Sequence, residues 1–331
     1  MWPTGSRIGL QIESNEYVVL NGEESDFKEV TSGVIQGSVL GPVLALMMLD
    51  SIDEELVHGR PSKFADDNKI YGIVNDLKDQ RLLQDDLDRI GAWANRWGFE
   101  LNATKCSVIQ YGPGPKWSFH INGQPLQQST VERDLGIMVR ADLKWDDQVR
   151  AAAQKARLSA HSIAKSFITR DVKLWSNLFR TFVRPHVEYA MPAWLPHQAN
   201  HLKTLESAQR WFTRQIPGIG HMDHLTRYRM CELQSVETRR DRGVQIQTFK
   251  ILSGFSMTSR RLLWPLNHNY ETRGREIGNL EHIQPHGNVR KFSFAARAPV
   301  LWDSVSAEAK NATSINTFKN SLDSAKIDAN K

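Results

Sequence analysis

Cysteine is scarce in this sequence, and long apolar runs are missing. Among 331 residues there are two cysteines, Cys106 and Cys231, which lie far apart and form no CxxC pair. This spacing argues against a disulfide framework and a zinc knuckle, and it favours a reducing compartment. The longest apolar run, residues 39–49, contains a Gly-Pro pair and is too short to span a bilayer. The N-terminus has no apolar core of the secretory type. We expect an intracellular protein of the nucleus or cytoplasm, neither secreted nor membrane-bound.

The charges are unevenly distributed along the chain. Residues 1–112 carry 10 Lys and Arg against 18 Asp and Glu, a net charge of −8. Residues 113–331 carry 32 against 19, a net charge of +13. This split predicts an acidic catalytic part joined to a basic part that follows a phosphate backbone. Two ordinary surfaces of opposite sign that dock on each other would give the same counts, so charge alone leaves both interpretations open.

The first 112 residues read as short strands alternating with helices. Residues 8–30 favour strands with a hairpin turn at Asn21-Gly22. A helix is expected over residues 38–56, and two short strands are expected around Asp66-Asp67. The residues expected at helix ends and faces are Leu44, Met47 and Met48 on the buried face of the first helix; Asn75 or Asp76 as cap and Gly98 as end of a second helix; and Leu83, Leu87, Ile90, Ala94 and Trp97 as its apolar stripe, with Asp85, Asp86 and Arg89 on its other faces.

The remainder of the chain reads as a small β element followed by helices. Residues 112–115 (GPGP) are the best linker candidate, and strands are expected at 119–121 and 135–139. Helices are predicted over 146–168, 171–190, 198–215 and, as one or two helices, 225–253. These elements indicate an α+β protein, which has enough residues for two domains. We divide it into four segments: 1–112, 113–145, 146–253 and 254–331.

Adjacent aspartates stand in the turn between the two short strands around Asp66-Asp67. Two neighbouring carboxylates repel each other unless a cation or solvent offsets their charge. Phosphoryl transfer by two metal ions uses such carboxylates to hold Mg²⁺ against the attacking and leaving oxygens. Since side chains alternate along a strand, one aspartate is expected to face the metal and the other to lie beside the site. A solvated turn would show the same pair, so the pair needs its context.

That context is a series of motifs in a particular order. Residues 33–42 (GVIQGSVLGP) resemble the PQGSVLGP block of non-LTR retrotransposon (LINE-type, jockey-like) reverse transcriptases, with Ile35 where proline is usual. Residues 62–67 (SKFADD) resemble the F/Y-A-D-D catalytic box of that family, and residues 101–106 (LNATKC) resemble its N-x-x-K-C/T block. One such motif is weak, whereas several in series are specific.

The resemblance continues to the C-terminus. Residues 134–145 (DLGIMVRADLKW) are similar to the strand pair with which the family grips the primer, and residues 184–194 (RPHVEYAMPAW) are similar to its RP-x-LEY run. Residues 294–302 and 316–319 match the usual C-terminal tail. The resemblance implies a partial reverse-transcriptase palm of antiparallel strands and packed helices, then a primer-grip-like segment (113–145), a mainly helical thumb (146–253) and a tail region (254–331).

The resemblance also implies roles for single residues. Asp66 would ligate Mg²⁺ with Asp67 assisting, and Lys105 would lie near the departing pyrophosphate. Gln36, Gly37 and Ser38 would line the pocket for the incoming deoxynucleotide, where glycine permits close approach. The partners implied are an RNA template and a DNA primer. Without the family context, the QGS string would read as a helix N-terminus and Lys105 as a surface lysine.

Two departures from the family pattern bear on activity. Leu49 stands where the family has a polar residue, and the strand with the first catalytic aspartate is missing. Among the 35 residues before Gln36, Asp26 is the sole aspartate, in a polar loop context. We therefore expect an RNA-directed DNA polymerase present as an N-terminally truncated fragment, inactive by itself. The alternative is a catalytically inactive, nucleic-acid-binding remnant of such an element.

The helical region 146–253 combines basic and aromatic residues. Helical spacing favours core positions for its large rings, and the basic surplus favours contact with nucleic acid through backbone and shape. His221 and His224 lack an accompanying cysteine pair, so a loop is favoured over a zinc site. The residues concerned are Lys155, Arg157, Lys165, Arg170, Lys173, Arg180 and Arg184, with Trp175, Phe179 and Phe182.

Overall fold

The computed structural model describes residues 15–16, 19–26, 28–29, 39–264 and 280–328. The chain divides into two compact units. Unit 1 comprises Met1–Val108 with Gly114–Gln128, and unit 2 comprises Ile109–Pro113 with Ser129–Lys331. In the described ranges, every helix is too short or too polar to cross a membrane.

Unit 1 begins with two small antiparallel pairs. Strand β1 (Asn15–Glu16) pairs with β4 (Lys28–Glu29), and β2 (Val19–Leu20) pairs with β3 (Glu23–Glu24). Asn21 and Gly22 join β2 to β3 with φ values of 55° and 88°. Positive φ at both central residues is what a type I′ hairpin turn requires, so the turn predicted at Asn-Gly is confirmed.

The first helix exposes most of its apolar side chains. Helix α1 (Gly41–Asp50) continues into a 3₁₀ turn, Ser51–Glu55. The prediction of a buried face was wrong in part, since Leu44 is 40% exposed and Met47 is 68% exposed. The helix is apolar at almost every position instead of along one stripe, so that packing one side leaves apolar groups on the others.

A hairpin and a long helix form the centre of unit 1. Strand β5 (Arg60–Phe64) pairs antiparallel with β6 (Asp67–Tyr71), and α2 (Leu77–Trp97) follows. The Asp76 side chain accepts hydrogen bonds from the backbone N–H groups of the first turn of α2, and Gly98 ends the helix with φ 73°. Both helix ends lie where the capping residues predict them.

The buried face of α2 is rotated relative to the predicted stripe. Leu87, Ile90 and Ala94 are buried as predicted, but Trp97 is half exposed, whereas Trp93 is buried. Trp93 stacks on Phe99 just beyond the helix end, and its Nε1 donates to Ser51 Oγ (2.9 Å). The indole N–H therefore has a partner inside the core, as a buried tryptophan requires.

The remainder of unit 1 is short elements around this helix. Ile90 and Trp93 share one cluster with Ile52, and Leu87 shares another with Phe119 and Ile121. The elements are the 3₁₀ turn Ala103–Lys105 and strands β7 (Ser107–Ile109), β8 (His120–Ile121), β9 (Gln124–Pro125) and β10 (Gln127–Ser129), which ends at the boundary with unit 2.

Unit 2 opens with a hairpin and continues as helices. Strands β11 (Val131–Asp134) and β12 (Ile137–Arg140) pair through a turn at Leu135-Gly136, so the strand expected over 135–139 begins two residues later. The φ values of 44° and 85° at Leu135 and Gly136 explain the shift, because that backbone makes a turn.

The helices of unit 2 are α3 (Asp146–Ser166), α4 (Val172–Leu178), α5 (Arg184–Glu188), α6 (Met191–Trp194), α7 (Ala199–Arg214), α8 (His224–Met230), α9 (Val236–Leu252), α10 (Arg260–Leu263), α11 (Asn288–Lys291), α12 (Phe294–Asp303), α13 (Ala307–Lys310) and α14 (Ile315–Asp328).

The predicted helix 171–190 is interrupted by a π-helical turn, Phe179–Val183, between α4 and α5. Pro185 provides the physical reason, because proline has no N–H to continue the α-helical bonds. The Arg184 N–H instead reaches the Phe179 carbonyl, five residues back. The Phe182 carbonyl accepts a hydrogen bond from Ser159 Oγ of α3 (2.9 Å). Such π turns are frequent at functional sites.

Two apolar clusters hold unit 2 together. Trp175 and Phe212 stack in the first, between α4 and α7 (ring centroids 4.7 Å apart). Phe249 of α9 and Phe318 of α14 stack in the second (4.3 Å). The C-terminal segment therefore packs on α9, and the molecule is of the α+β class predicted from the sequence.

Candidate functional site

The adjacent aspartates lie at the tip of the β5–β6 hairpin. The register pairs Phe64 with Asp67, so that only Ala65 and Asp66 form the turn. Both aspartates are exposed. In the described part of the chain, neither carboxylate has a hydrogen bond or ion pair, and only the Asp66 backbone carbonyl accepts a bond, from Asn68 Nδ2 (3.3 Å). Two unneutralised carboxylates in this position are available to a cation.

Lys63, in the strand just before the turn, is bound to acidic side chains from α1 and the 3₁₀ turn. Its Nζ lies 2.8 Å from Asp50 Oδ1 and 3.0 Å from Asp53 Oδ1. Burial alone would lower the pKa of Lys63, but the two carboxylates outweigh it and the pKa is raised. Asp50 is therefore already engaged, which makes it a poor candidate for a third metal ligand beside Asp66.

The base of the hairpin is anchored on a buried carboxylate. The Asp86 side chain is fully buried and accepts hydrogen bonds from the backbone N–H groups of Val57 (3.0 Å), His58 (2.9 Å) and Gly59 (2.6 Å). Burial opposes the charged form, but these three donors outweigh it, and the pKa of Asp86 lies below its usual range. The expectation that Asp86 lies on an outer face of its helix was wrong, because the backbone donors replace the water that the carboxylate loses.

Gly59 is required at the same place. A Cβ on Gly59 would lie 2.6 Å from Ile70 Cγ2 and 3.0 Å from Leu83 Cδ1. The first of these separations is closer than real Cβ contacts, so a larger residue at position 59 would have to displace Ile70 of β6. The Asp86 carboxylate and the missing side chain at Gly59 together set the position of strand β5.

The other residues implied by the family pattern are placed only in part. Lys105 is exposed at the end of a 3₁₀ turn that Asn102 caps through its Oδ1 (3.0 Å to Thr104 N). Among the residues that the structure describes, no hydrogen bond or ion pair joins Lys105 to either aspartate of the hairpin tip. Gln36, Gly37 and Ser38 lie outside the described residues. Within the described ranges, no group of three or more His, Cys, Asp or Glu residues is arranged to hold a metal ion.

In unit 2, two of the sequence motifs come into contact. The Tyr189 hydroxyl donates to the Leu135 carbonyl (2.8 Å), so the RPHVEY motif touches the turn of the DLGI motif. Gln148 of α3 accepts from Met138 N through its Oε1 (2.9 Å). The hairpin β11–β12 is thus fixed to the helices at both its turn and its second strand.

The basic residues of the helical region are of two kinds. Lys155, Arg157, Lys165 and Lys173 are exposed and form no ion pair within the described chain. Arg180 and Arg184 are half-buried and face carboxylates, at 3.5 Å from Glu232 and 3.7 Å from Glu188. Arg170 lies over the Trp175 ring, 5.6 Å from its centroid. Trp175 and Phe179 are buried, which confirms the core role predicted for the tryptophan, whereas Phe182 is half exposed.

One carboxylate serves two of the arginines. Arg239 of α9 makes a two-pronged pair with Glu188 (Nε–Oε1 2.7 Å, Nη2–Oε2 2.6 Å), which Arg184 also approaches. Burial and then the nearby Arg239 lower the pKa of Arg184 to about 10, so its guanidinium stays charged at neutral pH. Glu188 of the RPHVEY motif thus ties α5 to α9.

Comparison with known proteins matches part of the chain to a protein family. Residues 6–139 match the family model described as reverse transcriptase (RNA-dependent DNA polymerase), a range that contains the hairpin and its two aspartates. These residues are thus similar to reverse transcriptases.

The chain is similar to polymerases of non-LTR, LINE-type retrotransposons. The RNA-directed DNA polymerase from mobile element jockey of Drosophila melanogaster is 25% identical over 223 residues, which cover 62% of this chain and 24% of that protein. The corresponding jockey protein of Drosophila funebris is 24% identical over 220 residues (61% and 23%). The probable RNA-directed DNA polymerase from transposon X-element of Drosophila melanogaster is 25% identical over 205 residues (57% and 22%). The chain thus spans about a quarter of these relatives, and no solved structure matches it significantly.

Three residues that position parts of unit 1 and unit 2 were not identified from the sequence. Asp86 stands three residues after Leu83 and four before Ile90, so its place in the apolar stripe could have suggested burial. Tyr189 was noted only as part of its motif. Lys63 had no sequence signal, because its partners lie 10 and 13 residues away on other elements.

Proposed function

We propose that this chain supplies part of the RNA-directed DNA polymerase of a non-LTR retrotransposon: one portion of the palm, with its Asp-Asp hairpin, and a helical unit that binds the template–primer duplex. The main observation behind this proposal is that Asp66 and Asp67 are exposed and unneutralised at the hairpin tip. The match of residues 6–139 to the reverse transcriptase family supports the assignment. A solvated turn without function would not need Asp86, Gly59 and the Lys63 ion pairs to hold its strands.

The residues at the tip fit a magnesium ion in ligand type but not in number. Carboxylate oxygens are the ligands that Mg²⁺ prefers, and Asp66 would hold it with Asp67 assisting. When bound, the metal would offset the charge that develops in phosphoryl transfer. Gln36, Gly37 and Ser38 would line the nucleotide pocket, and the Lys105 ammonium would stabilise the departing pyrophosphate.

Two carboxylates make a partial metal site. Asp50 is bound to Lys63, and the described residues provide no third acidic group in a metal-binding cluster. We infer that the 331-residue chain by itself extends no primer and that an upstream polymerase segment must complete the site. The alternative function, a nucleic-acid-binding remnant without polymerase activity, is favoured by the same observation and would retain the duplex affinity of unit 2.

The full chain is expected to bind an RNA–DNA duplex with little sequence preference and strong salt dependence. If about four cations contact phosphates, the slope of log K against log salt is about −3.6, and the affinity falls about 150-fold between 50 and 200 mM salt. Fluorescence anisotropy with a labelled duplex, titrated at several salt concentrations, measures this slope.

Two double variants, each lacking two lysines, distinguish phosphate contacts made by unit 2 from a general effect of the net charge. Lys165→Gln with Lys173→Gln is expected to make the slope shallower by about 1.8, since two phosphate contacts are lost. Lys78→Gln with Lys116→Gln removes the same charge from exposed positions of unit 1 and should leave the slope unchanged. Duplex binding that is absent at low salt, or indifferent to salt, contradicts the proposed role of unit 2.

A further inference from the structure

The β5–β6 hairpin of unit 1 is a sheet of two strands in the described part of the chain. A two-stranded hairpin is marginally stable by itself in water, so contacts with other elements must fix the position of its tip. The Asp86 carboxylate holds the base, but the Gly59 N–H that it accepts from lies six residues before Ala65 of the turn. At about 3.3 Å per residue, this anchor is about 20 Å of extended chain away from the tip.

Lys63 makes a contact much closer to the tip. It stands two residues before Ala65, which is about 7 Å along the strand. Its ammonium donates to the Asp50 side chain (2.8 Å) and to the Asp50 backbone carbonyl (3.3 Å), and it lies 3.0 Å from Asp53 Oδ1. Asp50 is the last residue of α1, and Asp53 belongs to the 3₁₀ turn that follows. Lys63 therefore joins the hairpin to the end of α1.

The two faces of the hairpin explain why this contact leaves the aspartates of the tip free. Side chains alternate along a strand, so Lys63 points to the opposite face from Phe64, which is 64% exposed. Phe64 pairs with Asp67 across the hairpin, so that Asp67 shares the outer face with it. Lys63 thus holds the hairpin from the inner face, and the outer face stays open to a cation.

Water does not easily replace the Lys63 ammonium in this contact. The Lys63 side chain is 19% exposed, and Asp53 Oδ1 is buried. Removal of the ammonium would leave a buried carboxylate oxygen without the positive charge beside it, which is costly. The 3₁₀ turn and strand β5 would then have to separate so that water could reach Asp53.

Helix α1 extends this contact towards the segment implied in nucleotide binding. The helix begins at Gly41, three residues after Ser38 in the sequence, and its ten residues end at Asp50. A helix of this length is a rod of about 15 Å. A shift of the hairpin relative to the end of α1 therefore also changes the distance from the two aspartates to the start of that helix.

We propose that Lys63 is a positioning residue for the Asp66-Asp67 metal site: its ammonium fixes the hairpin tip against the end of α1 and so sets the position of both carboxylates relative to that helix. This proposal rests on the proposed function, because it gives a part in polymerisation to a residue that touches neither metal nor substrate. The contact is present in the 331-residue chain, so it is also tested there without catalysis.

Amide hydrogen exchange in the full 331-residue chain tests the contact. Lys63→Met keeps the length of the side chain and removes the ammonium. Exchange at residues 62–69 is expected to become about fivefold faster, since a partly buried ion pair close to the tip is lost. The matched control is Lys78→Met, which removes the same charge from an exposed position of α2 and should leave exchange in the hairpin unchanged. Equal exchange in the two variants overturns the proposal.

Single-turnover primer extension tests the effect on the metal site, with a complete upstream polymerase segment from a related element fused before Met1. Lys63→Met is expected to lower the rate constant about ten- to hundredfold, because a misplacement of about 1 Å costs about a hundredfold in rate. A folding defect would instead lower the amplitude and leave the rate constant unchanged. Lys63→Arg keeps a cation for the two carboxylates and should restore most of the rate.

The outcomes separate this proposal from the proposed function. If the fused parent extends the primer and the rate constant of Lys63→Met is that of Lys78→Met, the positioning role is overturned while the proposed function stands. If Lys63→Met lowers the amplitude alone, Lys63 has a role in folding only, and the positioning role is again overturned. A fused parent that extends no primer overturns the proposed function and, with it, the part in polymerisation given to Lys63.

Discussion

Replacement of Asp66 by alanine is expected to abolish primer extension by a complemented form of this chain. In that form, a complete upstream polymerase segment from a related element is fused before Met1, so that its carboxylate joins the two of the hairpin tip. Loss of Asp66 removes a metal ligand and leaves the attacking oxygen and the α-phosphate poorly aligned. A loss of several kcal/mol of transition-state stabilisation corresponds to a rate reduction of at least about a thousandfold.

The matched control for Asp66 is Asp85, an exposed aspartate on α2 without a hydrogen bond or ion pair in the described chain. Asp85→Ala should leave the rate of primer extension within about twofold of that of the complemented parent, since a surface substitution away from the metal site has a small effect. Single-turnover extension of a labelled DNA primer on an RNA template measures the rate for the complemented parent, Asp66→Ala and Asp85→Ala. If Asp66→Ala retained activity comparable to that of Asp85→Ala, the carboxylates of the hairpin tip would have no catalytic role.

Replacement of Asp86 by alanine is expected to reduce the free energy of unfolding by about 3–5 kcal/mol. The change leaves the N–H groups of Val57, His58 and Gly59 without their acceptor, and a buried donor without a partner costs about 1–3 kcal/mol, part of which water recovers. Urea unfolding followed by the fluorescence of the tryptophans of unit 1, such as the buried Trp93, measures the loss. Asp85→Ala again serves as the control, since Asp85 is exposed on the same helix. Equal midpoints for the two variants would contradict the anchoring role of Asp86.

The buried Asp86 carboxylate also predicts that the stability of the protein depends on pH. The pKa of Asp86 is lower in the folded protein than in the unfolded chain, where it is about 3.9. The stabilisation from this group is therefore fully present above about pH 5 and is lost as the pH falls through the folded pKa. Asp86→Asn keeps an oxygen acceptor but cannot change its charge. The stability of this variant should fall less steeply in acid than that of the wild type, and parallel acid profiles would contradict the ionised state of Asp86.

Local signals in the sequence predicted much of the fold around the hairpin. Asn21-Gly22 joins the strands β2 and β3 because asparagine and glycine tolerate the positive φ of a type I′ turn. Asp76 and Gly98 mark the ends of α2 because one accepts from the free N–H groups of the first turn and the other adopts a left-handed backbone. These features depend on a few neighbouring residues, so they can be predicted without knowledge of the tertiary structure.

The side chains whose burial was predicted wrongly make contacts with residues distant in sequence. The sequence around Asp86 suggests a surface charge, because its backbone donors, residues 57–59, are 27 to 29 residues away. The apolar face of α1 reads as core, but Met47 remains exposed among the described residues. Pro185 does predict a break, although the π-helical turn and the bond from Ser159 that stabilises it involve a separate helix.

The candidate site was predictable to a similar extent. The Asp66-Asp67 turn followed from the strand pattern on either side of the pair, and the structure places both residues at the hairpin tip. The roles of Asp66, Asp67 and Lys105 stay predictions that rest on the family resemblance. The contact between Tyr189 and Leu135 could not be predicted, because nothing in either motif identifies the other as its partner.

The central claim, that this chain carries two carboxylates of a metal site that another segment must complete, is tested most directly by primer extension with the purified 331-residue chain alone. With an RNA template, a DNA primer, deoxynucleotides and Mg²⁺ or Mn²⁺, the account predicts no extension, under conditions in which the same preparation binds the duplex. The complemented chain, assayed in parallel, should extend the primer. Extension by the 331-residue chain that Asp66→Ala abolishes would contradict the account, since it would show that a carboxylate within this chain already completes the site.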